Sequence, residues 1–452
     1  MTNYYFLGIG GIGMSAIARY FHHNGYLVGG YDKVCSQLCM ELQKEGIDVH
    51  FEDLGDNIDI RFKDPKNTII IYTPAVPNDL SEFEFFRKNN FKILKRAQIL
   101  GEITQQAKGL CVAGTHGKTT TSTMVAHLLK QSSVDCSGFL GGVSLNYNSN
   151  ILLSGKSDFV VIEADEYDRS FHTLSPHIEV ITSTDADHLD IYHSHEQYID
   201  AFEHFTSLIE SGGALIYKKG ITLNPRTTKE VKKYSYSSTE NADFCAKNIR
   251  IQDGKLFFDF TTPNEVIADI ELGVPILVNV ENAVAAMAVA WLCGATTDEL
   301  RIGISSYRGV RRRFEKHTDK PKIFIDDYAH HPKELALSIK SVKMLYEGKK
   351  VLGVFQPHLY SRTKDFCDEF ANALNVLDEI ILLDIYPARE EPIEGVSSKI
   401  IYDKIENPQK DMTTKNNLLN LLKQKDFDVL LTLGAGDIDL CLPKIKAWIE
   451  QL

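Results

Sequence analysis

The chain has 452 residues, 43% of them hydrophobic and 24% charged, with a formal net charge of −12. That length allows about two to four domains, each with its own core. The acidic balance argues against a duplex-binding role, which needs a basic stripe to neutralise backbone phosphate. The one dense basic cluster, GVRRRFEKH at 309–317, is short enough to be a solvated face or a small-anion site. The eight cysteines, at 35, 39, 111, 136, 245, 293, 367 and 441, include no C-x-x-C pair. Reduced core thiols are therefore expected rather than a disulfide framework or a zinc site. The first residues lack a basic stretch followed by a cleavable apolar one, and no run approaches the ~18 uncharged apolar residues of a membrane span. A cytoplasmic protein is expected, with neither a membrane nor a nucleic acid as partner.

From the start to about residue 104, apolar strands alternate with helical patterns: YYFLGIG, a helix from Met14, YLVGGYD, NTIIIYTPAV and a helix around LKRAQILGEI. This alternation predicts a parallel sheet with crossover helices. A second series begins with KGLCVAG and continues with DFVVIEADE, HIEVITSTDADHLD and a long helix from about His195. Its polar residues follow the strands, where ligands sit in open α/β sheets, so they should converge on one crevice. KKYSYSS, DFCAKNIRIQDGKLFFDFTT and EVIADIEL read as antiparallel strands with a hairpin turn at QDGK, and VENAVAAMAVAWLCG as a closing helix. After GVRRRFE the alternation restarts with KIFIDDYAHHP, KKVLGVFQPH, LDEIILLDIYP and FDVLLTLGAGD, which predicts a third α/β domain.

Two glycine loops point to phosphates. Gly8, Gly10 and Gly13 keep the G-x-G-x-x-G spacing, and Asp32 stands about 20 residues on, where an acid can accept from a ribose hydroxyl. NAD and a UDP-sugar satisfy this pattern equally. The second loop, AGTHGKTTT, is two residues shorter than the standard P-loop, with Val112 where the first glycine would be. It nevertheless keeps a sharp turn between strand and helix followed by Lys118, which suits a triphosphate, while the Thr119 hydroxyl suits its Mg²⁺. Mg²⁺ takes oxygen ligands. Glu163, with Asp165 and Glu166 beside it, and His188 among Asp185, Asp187 and Asp190, stand just beyond neighbouring strands.

Together, GTHGKTTT, EADEYDRSF, DADHLD, GVRRRF, DDYAHHP and FQPHLYSRT resemble the Mur ligases, in the same order along the whole chain. The resemblance implies an α/β fold of three domains: a Rossmann-like UDP-sugar-binding domain at 1–104, a P-loop-type ATPase domain with a mixed sheet at 105–313, and a Rossmann-like amino-acid-binding domain at 314–452. It implies an ATP- and Mg²⁺-dependent ligase joining L-alanine to the lactyl carboxylate of UDP-N-acetylmuramate through an acyl phosphate, as a monomer or weak homodimer. The alternatives are a relative that attaches a whole tripeptide to the same sugar nucleotide and, from different classes, a nicotinamide-dependent dehydrogenase and a nucleotide-binding regulator without catalysis.

By the same resemblance the first loop holds the diphosphate of the UDP-sugar, through Gly8, Gly10, Gly11, Gly13, Asp32 and Thr73. ATP falls to Gly114, Thr115, His116, Gly117, Lys118, Thr119, Thr120, Asn282, Arg313 and Asp327. Thr119 and Glu163 are the implied ligands of one metal ion and His188 of a second. Lys118, Glu163, His188 and Arg313 form the implied catalytic set, and His330, His358 and Arg362 the amino-acid site. The chain departs from the family pattern at Glu281 and Ala285, which replace a histidine and an asparagine, and at Leu359, which replaces an arginine. The strand before ADHLD also ends TSTD where an asparagine is common. Because water would destroy an acyl phosphate, the third domain is expected to close over the site about a joint near Arg311 to Glu315.

Overall fold

Strands of mostly buried apolar residues build three sheets in this computed structural model, which describes residues 2–73, 76–252, 254–388 and 390–452. Pro74 and Ala75 of NTIIIYTPAV, and Asp253 of the expected QDGK turn, lie outside the described residues. The first sheet contains β1 (Asn3–Leu7), β2 (Leu27–Tyr31), β3 (Asp48–His50), β4 (Thr68–Tyr72) and β5 (Lys92–Lys95) in the order β3-β2-β1-β4-β5. All its pairings are parallel, as the alternation of strand and helix predicts. The order reverses at β1, so its carboxyl end opens a crevice.

The second sheet comprises β6 (Lys108–Ala113), β7 (Ser137–Ser144), β8 (Ser149–Leu152), β9 (Phe159–Glu163), β10 (Pro176–Ile181), β11 (Ala214–Lys218), β12 (Lys232–Ser237), β13 (Phe244–Gln252), β14 (Lys255–Thr261) and β15 (Val266–Leu272). Its order is β15-β14-β13-β12-β11-β10-β6-β9-β7-β8. β6 lies between β9 and β10 and parallel to both, so three strand ends carrying polar residues are neighbours. One expectation fails. KKYSYSS, taken as antiparallel, is β12, and it pairs parallel with both β11 and β13. The segment between β11 and β12 crosses back without a helix, so the sequence carries no crossover signal. β13 and β14, separated by two residues, can pair only as an antiparallel hairpin.

The third sheet holds β16 (Glu315–Thr318), β17 (Ile323–Asp327), β18 (Val351–Phe355), β19 (Glu379–Leu382), β20 (Lys410–Met412) and β21 (Val429–Leu433), in the order β16-β17-β21-β18-β19-β20. It is parallel except for β16, an antiparallel edge strand that the sequence reading did not include.

Contacts group the chain into two compact units. One runs up to Lys247 with Asp259–Ile270 and Glu281–Tyr307; the other comprises Asn248–Phe258, Glu271–Val280 and Arg308–Leu452. Within the first unit, one apolar core joins residues of the first sheet, such as Phe6 and Ile71, to residues of the second, such as Ile162 and Ile181. Polar contacts tie the same two layers: Asn150 Nδ2 donates to Ser15 Oγ at 3.0 Å, and Thr173 Oγ1 to Ala97 O at 2.7 Å. Among the described residues no helix is long and apolar enough to cross a membrane, and no group of three or more His, Cys, Asp or Glu is placed to hold a metal.

Candidate active site

The first glycine loop leaves β1 and turns into the helix Ile12–His23, whose N-cap, Gly11, makes no side-chain cap hydrogen bond. Gly8 N and Ile9 N donate to Tyr31 O at 2.8 and 3.0 Å. The loop is thus anchored to the end of β2. Asp32 braces it, with Oδ2 accepting from Gly10 N at 2.8 Å and Oδ1 from Val34 N at 3.0 Å. Each carboxylate oxygen retains a second lone pair, so this brace leaves room for a ligand hydroxyl. Thr73 lies beside Gly8, where a Cβ would stand 3.1 Å from its Cγ2. A Cβ at Gly13 would collide with the guanidinium of Arg96, so the loop has a cation that sequence reasoning missed. Arg96 starts the helix Arg96–Thr104 and also donates to Asp165 Oδ2 at 3.3 Å.

The second loop joins β6 to the helix Lys118–Lys130. Gly114 turns the chain at φ +132°, and a Cβ there would collide with Thr182; only glycine suits both demands. The segment after β10 holds the loop: Thr115 Oγ1 donates to Asp185 O at 2.7 Å and His116 N to Ser183 Oγ at 2.8 Å. Gly117 caps the helix at φ +83° with no side-chain hydrogen bond. Its first-turn N–H groups and dipole therefore face outward, as an anion requires.

Lys118 Nζ donates to Glu166 Oε1 and to Gly114 O, both at 2.7 Å. The Glu166 side chain is 1% exposed and receives a second donor, Tyr198 OH, at 3.4 Å. Its Oε2 is buried without a partner among the described residues. Burial works against the charge on Lys118, but the carboxylates of Glu166 and then Glu163 outweigh it and hold the lysine pKa above its ordinary value. The lysine is therefore a fixed cation folded onto its own loop, and it must turn outward to meet a phosphate.

Thr119 Oγ1 donates to Glu163 Oε1 at 3.0 Å. A hydroxyl and a carboxylate side by side at adjoining strand ends are the donor set of a hard cation that keeps several waters, so these two residues fit Mg²⁺. His188 Nε2 lies 3.9 Å from Glu166 Oε1 and 3.8 Å from Asp187 Oδ2. Its left-handed φ of 51° is uncommon outside glycine and marks a fixed side-chain position. The side chain of Asp190 lies outside the described residues. Asn282 is buried beneath the loop, accepting from Thr121 Oγ1 at 3.3 Å, with Oδ1 2.8 Å from where a Cβ on Gly117 would stand. Glu281, one of the departures, pairs with Lys218 at 2.6 Å.

In the second unit the adjacent arginines differ. Arg312 is tied down, donating to Asp326 Oδ2 at 3.2 Å, Gly434 O at 2.7 Å and Gly436 O at 3.1 Å. Arg313 instead lies over the Tyr328 ring at 4.8 Å. Burial pushes the Asp327 carboxyl above its usual range and the His330 imidazole below its own. His330, His358 and Arg362 are brought together: the two rings are 5.9 Å apart, and Arg362 Nη1 is 3.4 Å from His358 Nδ1. Tyr386, which sequence reasoning missed, stacks on His358 at 5.7 Å. Leu359 sits at φ +69° and donates its N–H to Tyr386 O.

Three family models match the chain in sequence order: "Mur ligase family, catalytic domain" at 3–108, "Mur ligase middle domain" at 112–290 and "Mur ligase, glutamate ligase domain" at 312–436. The UDP-N-acetylmuramate–L-alanine ligase of Parabacteroides distasonis is 57% identical over 447 residues, covering 99% of this chain and 97% of its own length. The crystal structure of UDP-N-acetylmuramate-alanine ligase from Thermotoga maritima superposes with a TM-score of 0.84 at 26% identity, covering 100% of both chains. A murein peptide ligase from Psychrobacter arcticus shares the fold, with a TM-score of 0.67 at 20% identity, covering 100% of this chain and 99% of that one. A dehydrogenase explains only the first loop and leaves the other two matched domains without a role. The chain belongs to the Mur ligase family.

Proposed function

We propose that this ligase joins L-alanine to the lactyl carboxylate of UDP-N-acetylmuramate, driven by ATP. The observation that carries the reading is the meeting of Lys118, Thr119, Glu163 and Glu166 at the ends of β6 and β9. Relatives above 50% identity with the single-alanine name favour it over the tripeptide-attaching alternative.

A carboxylate is a poor electrophile, and phosphorylating it turns one oxygen into a leaving group. The lactyl carboxylate takes the γ-phosphoryl group of ATP, ADP departs, and the neutral amine of L-alanine displaces phosphate from the acyl phosphate. We assign the triphosphate to the loop Gly114–Thr120, at the N-terminus of the helix Lys118–Lys130, and to Lys118, whose charge offsets that of the transferring group. Thr119 and Glu163 would hold a Mg²⁺ ion, with His188 assigned to a second; when bound, such ions supply positive charge at the phosphate oxygens. Asn282, Arg313 and Asp327 are assigned to the nucleotide, and His330, His358 and Arg362 to the amino acid. The first loop, with Asp32 and Thr73, takes the UDP-sugar. The domain limits that go with these assignments are 1–104, 105–313 and 314–452.

The test is ADP formation with L-alanine, L-serine, glycine or the tripeptide, each with and without UDP-N-acetylmuramate. The reading expects release that needs both the sugar nucleotide and L-alanine. Turnover with tripeptide but not alanine would overturn it.

A further inference from the structure

Just ahead of β16 the chain makes a tight turn over residues 310–313, closed by Arg313 N donating to Val310 O at 3.0 Å. Its third residue, Arg312, has φ +63°, the place and sign at which a type II turn takes glycine or asparagine. Phe314 follows at φ +50°. Arg313 is thus bracketed by two non-glycine residues in the left-handed region. Such residues persist only where their surroundings over-determine them.

The surroundings here are the contacts of Arg312. Its guanidinium, 15% exposed, pairs with Asp326, which is fully buried. Nε donates to Asp326 Oδ2 at 3.2 Å, Nη2 to Gly434 O at 2.7 Å and Nη1 to Gly436 O at 3.1 Å. All three nitrogens of one rigid fork therefore bind β17 and the loop after β21, which the point charge of a lysine would not reproduce. Asp326 is itself fixed, its Oδ1 accepting from Thr432 Oγ1 at 2.6 Å. On the main chain, Arg312 N donates to Glu315 Oε2 at 2.8 Å, and Arg312 O accepts from Tyr328 N at 2.6 Å. Tyr328 is also the residue whose ring carries the Arg313 guanidinium, at 4.8 Å. One side chain thus fastens both the strained turn and the platform beneath the next arginine.

We propose that Arg312 is a positioning residue for phosphoryl transfer, pinning the turn to the third sheet so that Arg313 is presented to the transferring phosphate in one fixed pose. This rests on the assignment of Arg313 to the nucleotide. Arg312 acts through its neighbour and not on the substrate. A cation already in place needs no reorganisation as charge develops, and misplacing it by ~1 Å costs on the order of 10²-fold in rate.

The experiment is a double-mutant cycle on the full chain: wild type, Arg312→Gly, Arg313→Ala and the double variant, each measured for kcat of ADP formation, KM of each substrate and melting temperature. Glycine satisfies the turn. Burial pushes the Asp326 carboxyl up to about 7 while Arg312 acts against the rise, so the variant keeps a neutral acid there, not a buried charge. Arg312→Gly should lower kcat by about 30-fold or more with KM for UDP-N-acetylmuramate unchanged. In the Arg313→Ala background the same change should cost less than about threefold, because no guanidinium is left to position. Wild-type kcat in Arg312→Gly overturns the proposal, as does an equal fold-loss in both backgrounds, which is what a merely structural role gives. Should Arg312→Gly not fold, Arg312→Lys takes its place in the cycle, with an expected loss of about fivefold or more and the same two overturning results. An Arg313→Ala variant with wild-type kcat sinks the assignment of Arg313 to the nucleotide instead, which keeps the two failures distinct.

Discussion

At the ligand edge of each of the first two sheets a buried glutamate holds a basic side chain with a tyrosine beside it. Glu82 holds His50 beside Tyr5, and Glu166 holds Lys118 beside Tyr198. The difference lies in the base. A histidine can stay neutral and present a lone pair, which suits recognition of a ring edge. A lysine between two carboxylates stays charged, which suits a phosphoryl group that moves. Burial of the acid is common to both, so the base sets what each edge can offer a ligand.

The largest expected effect falls on the chemical side. Lys118→Ala should lower ADP formation by on the order of 10³-fold or more, while UDP affinity, measured by calorimetry, stays at the wild-type value. Equal loss of both would erase the distinction between the two edges.

Glu166→Gln probes the same edge more gently. Without the nearest carboxylate, burial acts on Lys118 with less opposition, so the lysine pKa falls from its raised position. The cation is then lost at lower pH, and activity should fail earlier as pH rises. At neutral pH kcat should drop by about 10- to 100-fold, ~1.4–2.7 kcal/mol in the barrier. Superimposable alkaline limbs in the pH–kcat profiles of variant and wild type would show that Glu166 does not hold the lysine's charge.

Glu82→Gln makes the matching change on the first sheet, where KM for the sugar nucleotide should rise by about tenfold with kcat at saturation nearly unchanged, the signature of lost uniform binding. A fall in kcat instead would place this edge in the chemistry.

Much of this arrangement is legible in the sequence. The two glycine loops, Lys118, Thr119 and Glu163 each follow an apolar strand at a recognisable spacing, so local pattern suffices to place them. Glu166 is visible as a neighbour of Glu163, but not its burial, because strand alternation ends at Glu163 and nothing local predicts which way the next turn faces. His50, Glu82 and Arg96 meet partners 28 to 77 positions away along the chain, through the order of parallel strands rather than through any motif. Tyr386 reaches His358 in the same way. The misread direction of β12 has a similar origin, since pairing direction depends on the crossover and KKYSYSS carries no record of it.

The smallest effect concerns an acid with no base at all. Glu179, mid-strand in β10 and opposite Cys111 in β6, is fully buried, and neither of its carboxyl oxygens has a partner among the described residues. Burial pushes its pKa well above the ordinary carboxyl value, so the folded chain retains a proton that the unfolded chain releases. Wild-type stability should then fall as pH rises from the ordinary carboxyl pKa towards the folded one. Glu179→Met, close in volume and free of ionisation, should be more stable by ~1–3 kcal/mol, with the gain in melting temperature widening as pH rises above the ordinary carboxyl range and ADP formation unchanged. A pH-independent gain would mean the carboxyl is not carrying a proton, and lost activity would make Glu179 a third member of the set that Glu82 and Glu166 begin.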